Sequence, residues 1–315
     1  MTIQTAATAA EPTIEPKAGG RTSTTAHRHE ARTGGLMVAP AAVLLVLFFF
    51  VPVILCFLLA FTNARLISPT PAHLTGLDNF ARLFKDPVFW ASLRNTFYFA
   101  VIVVPLQSGF ALLLALLVNV KMRGTNFFRV MYFIPVVTSI VVVSILWRFM
   151  YQPQGLVNSL LSSASFNVIQ GTDWLNNTAS AMPAIMFMSI WQAVGFHMVI
   201  WLSGLQTIPE ERYEAAELDG ANTWQKFWYV TWPGLRATRT FILVTITIAA
   251  LSLFAQINVM TDGGPLNATT TMVYQAVRTG YRQQETAYAS AISLAFFALV
   301  LAVSLVQRYL TREKD

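Results

Sequence analysis

His197 is the one ionisable side chain deep inside the long apolar runs of this chain, and a lone imidazole could relay a proton or contact a ligand. The same runs otherwise carry neutral hydrogen-bonding groups: Gln107 and Ser108, then Ser189 and Gln192, then Thr245, Thr247, Ser252, Gln256 and Asn258. Polar groups at bilayer depth are costly unless they face protein or water, which makes these residues candidates for lining a solute cavity. Each could equally hold a neighbouring helix. Trp191, Trp201 and Phe254 add aromatic faces of the kind that stack on sugar rings. Neutral donors and acceptors beside aromatics suit an uncharged polyol better than a permanently anionic solute.

Other chemistries lack their residues. An intramembrane enzyme would need a Ser/His pair, paired carboxylates or a metal cluster at bilayer depth, and isolated His197 supplies none of these. Cys56 is the only cysteine, so neither an intramolecular disulfide nor a thiolate metal cluster can form. His27 and His29 alternate like a weak metal pair but sit in a polar tail, and no metal site is expected. No stretch matches GxxxxGK[ST], so the chain has no P-loop of its own for nucleotide phosphates. An ion-coupled secondary transporter, the alternative reading, would require carboxylates or a charged relay within the spans, where none is found.

The elements that must position these groups are membrane helices. Of 315 residues, 55 % are hydrophobic and only 11 % charged. Residues 36 to 61 contain no charge, and a helix needs roughly 20 apolar residues to cross a hydrocarbon core. The run is too long for a cleaved signal sequence and follows a polar stretch, so it is expected to remain. Further apolar runs cover about 94–119, 127–150, 181–203, 237–260 and 286–310, which predicts an all-α membrane protein of six helices. Residues 1–35 read as a disordered arm, 36–310 as the six-helix domain with a polar loop at 204–236, and 311–315 as a tail.

The net charge of +6 needs no nucleic-acid partner, because the basic residues segregate between loops. With the N-terminus inside, fourteen Lys and Arg lie on inner segments and six on outer ones. That bias places both termini in the cytoplasm. In the first outer loop, Asp78 and Asp86-Pro87 read as two helix starts, giving a short interfacial helix that leads into the second span.

The 204–236 loop reads as helix, turn, helix. Pro209, Glu210 and Glu211 suit a first turn, Gly220 stops the helix, Asn222 or Thr223 can cap a second, and Pro233 ends it. Trp224, Phe227, Trp228 and Thr231 share one face of that second helix. Glu214-Ala215-Ala216, then Gly220, then Val230 and Pro233 keep the spacing of the EAA loop. The stretch resembles that loop of ABC importer permeases, with Val230 for Ile and the bulkier Trp232 for Leu. "GLDNFARLFKDPVFWASLRNT" (76–96), "TDGGPLNATT" (261–270) and "YASAIS" (288–293) resemble the first membrane subunit of the maltose-type (CUT1) carbohydrate-uptake permeases. Ala287 stands where that family commonly has Gly. The resemblance runs from about 37 to 310.

It implies the type I permease fold in a bacterial inner membrane, beside a second permease subunit and two ATPase subunits that bind ATP and Mg. This chain would bind no cofactor. A solute-binding protein would deliver a carbohydrate-like solute. Glu214, Ala215, Ala216, Gly220, Trp224, Phe227, Val230 and Pro233 would couple to the ATPase, with Glu214 orienting the elbow and Gly220 allowing its reversal. "TDGGP", Asp262-Gly263-Gly264-Pro265, reads as a tight turn after the fifth span, and by resemblance it lies near the binding-protein docking site.

Overall fold

The computed structural model describes Gly34 and residues 37–67, 71–120, 124–164 and 171–311. The expected arm, apart from Gly34, the tail beyond Thr311, and Lys121 and Arg123 lie outside the described residues. The chain divides into two compact units, Met1–Ile54 and Leu55–Asp315. Helix α1, Met37–Leu59, crosses that boundary and is apolar throughout, matching the first expected span.

In the second unit, α2 (Asp78–Lys85) precedes α3 (Pro87–Val118). Asp86 caps α3 through its carboxylate, which accepts from the Val88 amide at 2.8 Å, and Pro87 occupies the first turn, where no amide is needed. The second span therefore begins some seven residues earlier than its apolar run. Asp78, read as a cap, instead lies within the first turn of α2.

The third span differs from its expectation. It is broken into α4 (Thr125–Val137) and α5 (Ile140–Met150), bent by 96°. Pro135 lies within α4, and Thr138 and Ser139 adopt extended ψ values of 139° and 131°. A proline removes one ladder hydrogen bond and clashes with the turn before it, which loosens the end of α4, although the break itself falls three to four residues further on, at Thr138–Ser139. Among the described residues, five helical stretches are long and apolar enough to span alone, counting Arg236–Met260 as one, and the bent pair brings the number to six when it is taken as one span.

The remaining elements are α6 (Leu156–Ala164), α7 (Ala181–Gln206), α8 (Glu210–Leu218), α9 (Thr223–Lys226), α10 (Arg236–Leu251), α11 (Ala255–Met260), α12 (Met272–Val277) and α13 (Thr286–Thr311). A π-helical turn at Phe227–Thr231 joins α9 to a short helical turn at Trp232–Gly234, and another spans Arg278–Arg282. Pro233 therefore does not end the second elbow helix. The wider turn lets the Trp232 amide reach the Phe227 carbonyl, and the helical path continues to Gly234.

Helix α3 packs along α7, with α10 against α3, α4 against α7, α11 against α5 and α12 against α13. Lipid tails are as apolar as leucine, so close backbone approach at small residues does much of the work of association. Ala111 and Ala115 are fully buried on α3. A Cβ at Gly195 of α7 would run into the Tyr132 carbonyl of α4. One core cluster gathers Ala115, Met198, Trp201, Leu205, Leu235 and Ile246 beside the 204–236 segment; another gathers Phe99, Trp147, Ile185, Met188 and Ile257 toward the opposite end.

Candidate functional site

The 204–236 segment forms an elbow whose two arms are tied to each other. Helix α8 ends in two hydrogen bonds, Ala221 N to Ala216 O and Gly220 N to Glu217 O, both 2.9 Å, around Gly220 at φ +77°. This is the Schellman arrangement, which favours glycine because a side chain strains in the left-handed region. Asn222 then starts the second arm with a reciprocal cap: its Oδ1 accepts from Gln225 N at 2.9 Å, and its amide donates to Gln225 Oε1 at 2.8 Å. Lys226 donates to Glu217 at 2.7 Å across the arms, and the Tyr213 and Thr231 hydroxyls meet at 3.0 Å.

Within this chain, Glu214 makes no contact that orients the elbow. It is exposed, and no described residue bonds its carboxylate. Glu217, Lys226, Tyr213 and Thr231 brace the arms instead. Ala215 is exposed and Ala216 half-buried. Nothing lies within 4 Å of a Cβ placed on Gly220, and the neighbouring Leu218 is 89 % exposed. The tip is thus unpartnered while its root is buried: Ile208 and Leu235 belong to the core, and Tyr213, Phe227, Val230 and Trp232 pack against it. Trp224, Phe227, Trp228 and Trp232 form one aromatic cluster with centroids 5.3–6.2 Å apart, and the Arg239 guanidinium lies 4.4 Å over Trp232.

Within the spans, the polar residues mostly bond one another. Gln107 of α3 and His197 of α7 are buried side by side, 3.0 Å apart, and His197 Nδ1 also lies 3.1 Å from the Ala193 carbonyl. Thr247 donates to the Leu243 carbonyl at 2.7 Å and accepts from Gln307 at 2.6 Å, tying α10 to α13. Gln192 reaches the Pro135 carbonyl at 3.4 Å, and Asn258 accepts from Arg282 at 3.0 Å. Ser189 is buried, and its hydroxyl has no partner among the described residues. Exposed Ser252 and half-buried Gln256 flank the break between α10 and α11, where Thr271 donates to the freed Leu253 carbonyl at 2.7 Å. Trp201 is buried, Trp191 packs on Trp147, and Phe254 stacks on Tyr274.

At the opposite end, the 261–271 loop is pinned on every side. Asp262 accepts from Arg282 at 2.7 and 2.8 Å and from the Tyr274 hydroxyl at 2.9 Å. The Arg282 hydrogen bonds hold its carboxyl below the usual carboxylate range, with a smaller contribution from Tyr274; partial burial opposes both. Burial, then this carboxylate, raises the Tyr274 hydroxyl in turn. Gly263 sits at φ +81°, where a Cβ would press on Thr270 and Tyr274. Gly264 N donates to the Thr261 carbonyl at 2.9 Å, and Pro265 follows through a cis peptide. Buried Asn95 of α3 donates to the carbonyls of Asn267 and Thr270 at 2.9 and 3.0 Å.

Residues 107–314 match the family model described as "Binding-protein-dependent transport system inner membrane component". The chain belongs to this family. It is the membrane permease of an ABC importer, which works with a binding protein and ATPase subunits, and it is not itself the ATPase. The permease is 34 % identical over 285 residues to the lactose transport system permease protein LacF of Rhizobium radiobacter, covering 89 % of this chain and 94 % of that one. It is 32 % identical over 261 residues to the diacetylchitobiose uptake system permease protein NgcF of Streptomyces coelicolor, covering 77 % and 74 %. A crystal structure of a bacterial ABC transporter that imports the acidic polysaccharide alginate contains a chain that superposes with a TM-score of 0.80. At 23 % identity, it covers 91 % of this permease and 98 % of that chain, which carries the fold.

The family also sets aside the ion-coupled alternative: ATP is bound by the partner ATPase, and the permease is a multi-pass inner-membrane protein. Of the cavity candidates, Gln107 and His197 are brought together, whereas Thr247 and Asn258 are engaged by other helices. The bracing residues Glu217, Lys226, Tyr213 and Thr231 were missed by sequence reasoning. The opposite charges of Glu217 and Lys226, nine apart across a glycine turn, were the available signal.

Proposed function

We propose that this permease carries a neutral carbohydrate across the inner membrane, driven by ATPase subunits that grip the elbow at 207–233. The carrying observation is the elbow itself: a segment braced internally, buried at its root, and bare at Glu214, Ala215, Leu218 and Gly220. A stiff unit with an unpartnered tip can pass a displacement into α7 and α10, which rock as rigid bodies. A second permease subunit and two ATPase subunits, the latter holding ATP and Mg, complete the importer in this reading. The excess of Lys and Arg on alternate loops supports a cytoplasmic elbow and cytoplasmic termini, with 1–35 and 311–315 as tails on the 36–310 domain.

The solute class draws on the relatives' names, which specify lactose and diacetylchitobiose, and on the neutral polar groups of the spans. Ser252, Gln256 and Gln192 are the proposed solute contacts. An interrupted helix at membrane depth is tolerated where it is buried in protein or lines an aqueous cavity, and Ser252 and Gln256 flank such an interruption. Gln107, His197, Thr247 and Asn258 then serve chiefly to lock helices, while Ser189, whose hydroxyl has no partner among the described residues, stays a cavity candidate. Asp262, Gly263, Gly264 and Pro265 shape the loop on the outer, binding-protein side.

The test is reconstitution in liposomes. The permease with its second membrane subunit, ATPase and solute-loaded binding protein should accumulate a labelled disaccharide only when ATP is supplied on the elbow side. Accumulation by this chain alone, without nucleotide, would refute the reading.

A further inference from the structure

The residues of the 261–271 loop first singled out for docking are consumed internally. Asp262 is bonded to Arg282 and Tyr274, and Gly263 is wedged against Thr270 and Tyr274. What the loop presents outward is Leu266, 92 % exposed, at φ +50°. A leucine in the left-handed region is uncommon and strained, and persists where the surroundings impose it. Here they do: its neighbour Asn267 is held by Asn95, and Thr269 and Thr270 donate to the Gly264 and Gly263 carbonyls at 2.7 and 3.0 Å. No other large apolar side chain of 261–271 is exposed. A single rigid apolar knob in a polar loop is poorly suited to lipid, which would want a patch.

Two hollows flank the knob, and Asn267 lines both. One, of about 740 Å³, is lined by Lys85, Arg278, Arg82, Asp78, Asp86 and Tyr288, among others. Within it Arg82 is committed to Glu285 at 2.7 Å, and Asp86 accepts from Tyr288 at 2.7 Å and Gln275 at 3.2 Å. That leaves Lys85 and Arg278, neither in an ion pair with a described residue, against the one uncommitted carboxylate of Asp78. The other hollow, of about 490 Å³, contains Leu266 and Arg94, whose guanidinium is exposed and makes no ion pair with a described residue.

We propose that Leu266, Arg94, Lys85 and Arg278 form the docking surface for the solute-binding protein, whose matching face carries an apolar socket rimmed by carboxylates. The inference rests on the orientation and partner set out under the proposed function. Leu266 supplies the buried anchor and the three cations supply approach and register, as central apolar and peripheral charged residues do at protein interfaces. The pinned loop loses little entropy on docking.

The complete importer, in liposomes with its own binding protein, provides the test. Leu266→Asp and Arg94→Glu should each raise the binding-protein concentration for half-maximal uptake by about tenfold or more. The maximal rate and co-purification with the ATPase should stay near wild type. Added salt should weaken docking of wild type more than of a Lys85→Gln, Arg94→Gln, Arg278→Gln variant. Leu266→Cys in a Cys56→Ser background adds a direct reading, since Cys56 is the only native cysteine. Solute-loaded binding protein at saturation should slow its reaction with a membrane-impermeant maleimide added outside. Unchanged half-maximal concentrations, or labelling indifferent to the binding protein, would overturn the docking surface while leaving the importer reading intact. Labelling only from the lumen, or a wild-type complex with no binding-protein dependence, would overturn both.

Discussion

The elbow and the 261–271 loop stand at opposite ends of the same helices, and both turn on a glycine at positive φ, +77° at Gly220 and +81° at Gly263. Their surroundings differ. A Cβ on Gly220 would meet open space, whereas one on Gly263 would meet Thr270 and Tyr274. The elbow is braced within itself and joins the bundle only at its root. The loop is welded to the bundle through Asn95, Tyr274 and Arg282. The contrast matches the roles proposed above: a handle moves with what grips it and needs a bare tip, whereas a platform for a partner gains from being fixed beforehand. The difference predicts that loop substitutions cost stability, whereas tip substitutions cost transport.

The largest stability effect should follow Asn95→Leu. The buried Thr270 carbonyl loses its donor, at about 1–3 kcal/mol, whereas the half-buried Asn267 carbonyl keeps the Thr270 amide at 3.2 Å. Thermal unfolding of the detergent-purified permease should shift down by several degrees, and an unchanged midpoint would mean the loop is not welded. Glu217→Gln tests the brace on the other side of the comparison. The Lys226–Glu217 pair is 2.7 Å long, but the carboxylate side chain is 62 % exposed, so its loss should cost well under about 1 kcal/mol. Unfolding should barely move, and uptake should fall only modestly, because the two caps and the Tyr213–Thr231 contact remain.

Smallest is the pH response of the loop. The Asp262 carboxyl is held below its ordinary value chiefly by Arg282. A depressed folded-state value gives stabilisation that is fully present above the unfolded value, about 3.9, and lost as pH falls through the lower one. Between pH 7 and 5 the wild-type loop should therefore show no change in proteolytic nicking. Asp262→Asn should show a slight increase at both values, small because the pair is solvent-screened.

Local features were legible in the sequence and long-range ones were not. The spacing from Glu214 to Pro233, the Asn222 cap and the Asp86-Pro87 start depend on residues a few positions apart, and the structure builds a turn, a reciprocal cap and a helix start on them. Hydropathy located the third span but is blind to a bend, and Pro135 was its only trace. Gln107 and His197 are ninety residues apart, and whether each faces a cavity or the other depends on helix rotation, which composition does not encode. Asp262 illustrates the same limit at the site. Its turn chemistry was readable, whereas its engagement by Arg282, twenty residues on, needed the fold.

The most direct test of the lever is uptake and ATP hydrolysis measured together in liposomes for the complete importer carrying Gly220→Asp. Because the position is open and aspartate tolerates the left-handed region better than most residues, the spans should insert and the unfolding midpoint should stay within a few degrees of wild type. Solute accumulation is predicted to vanish. Normal accumulation, with the ATPase bound and hydrolysing as in wild type, would contradict the account.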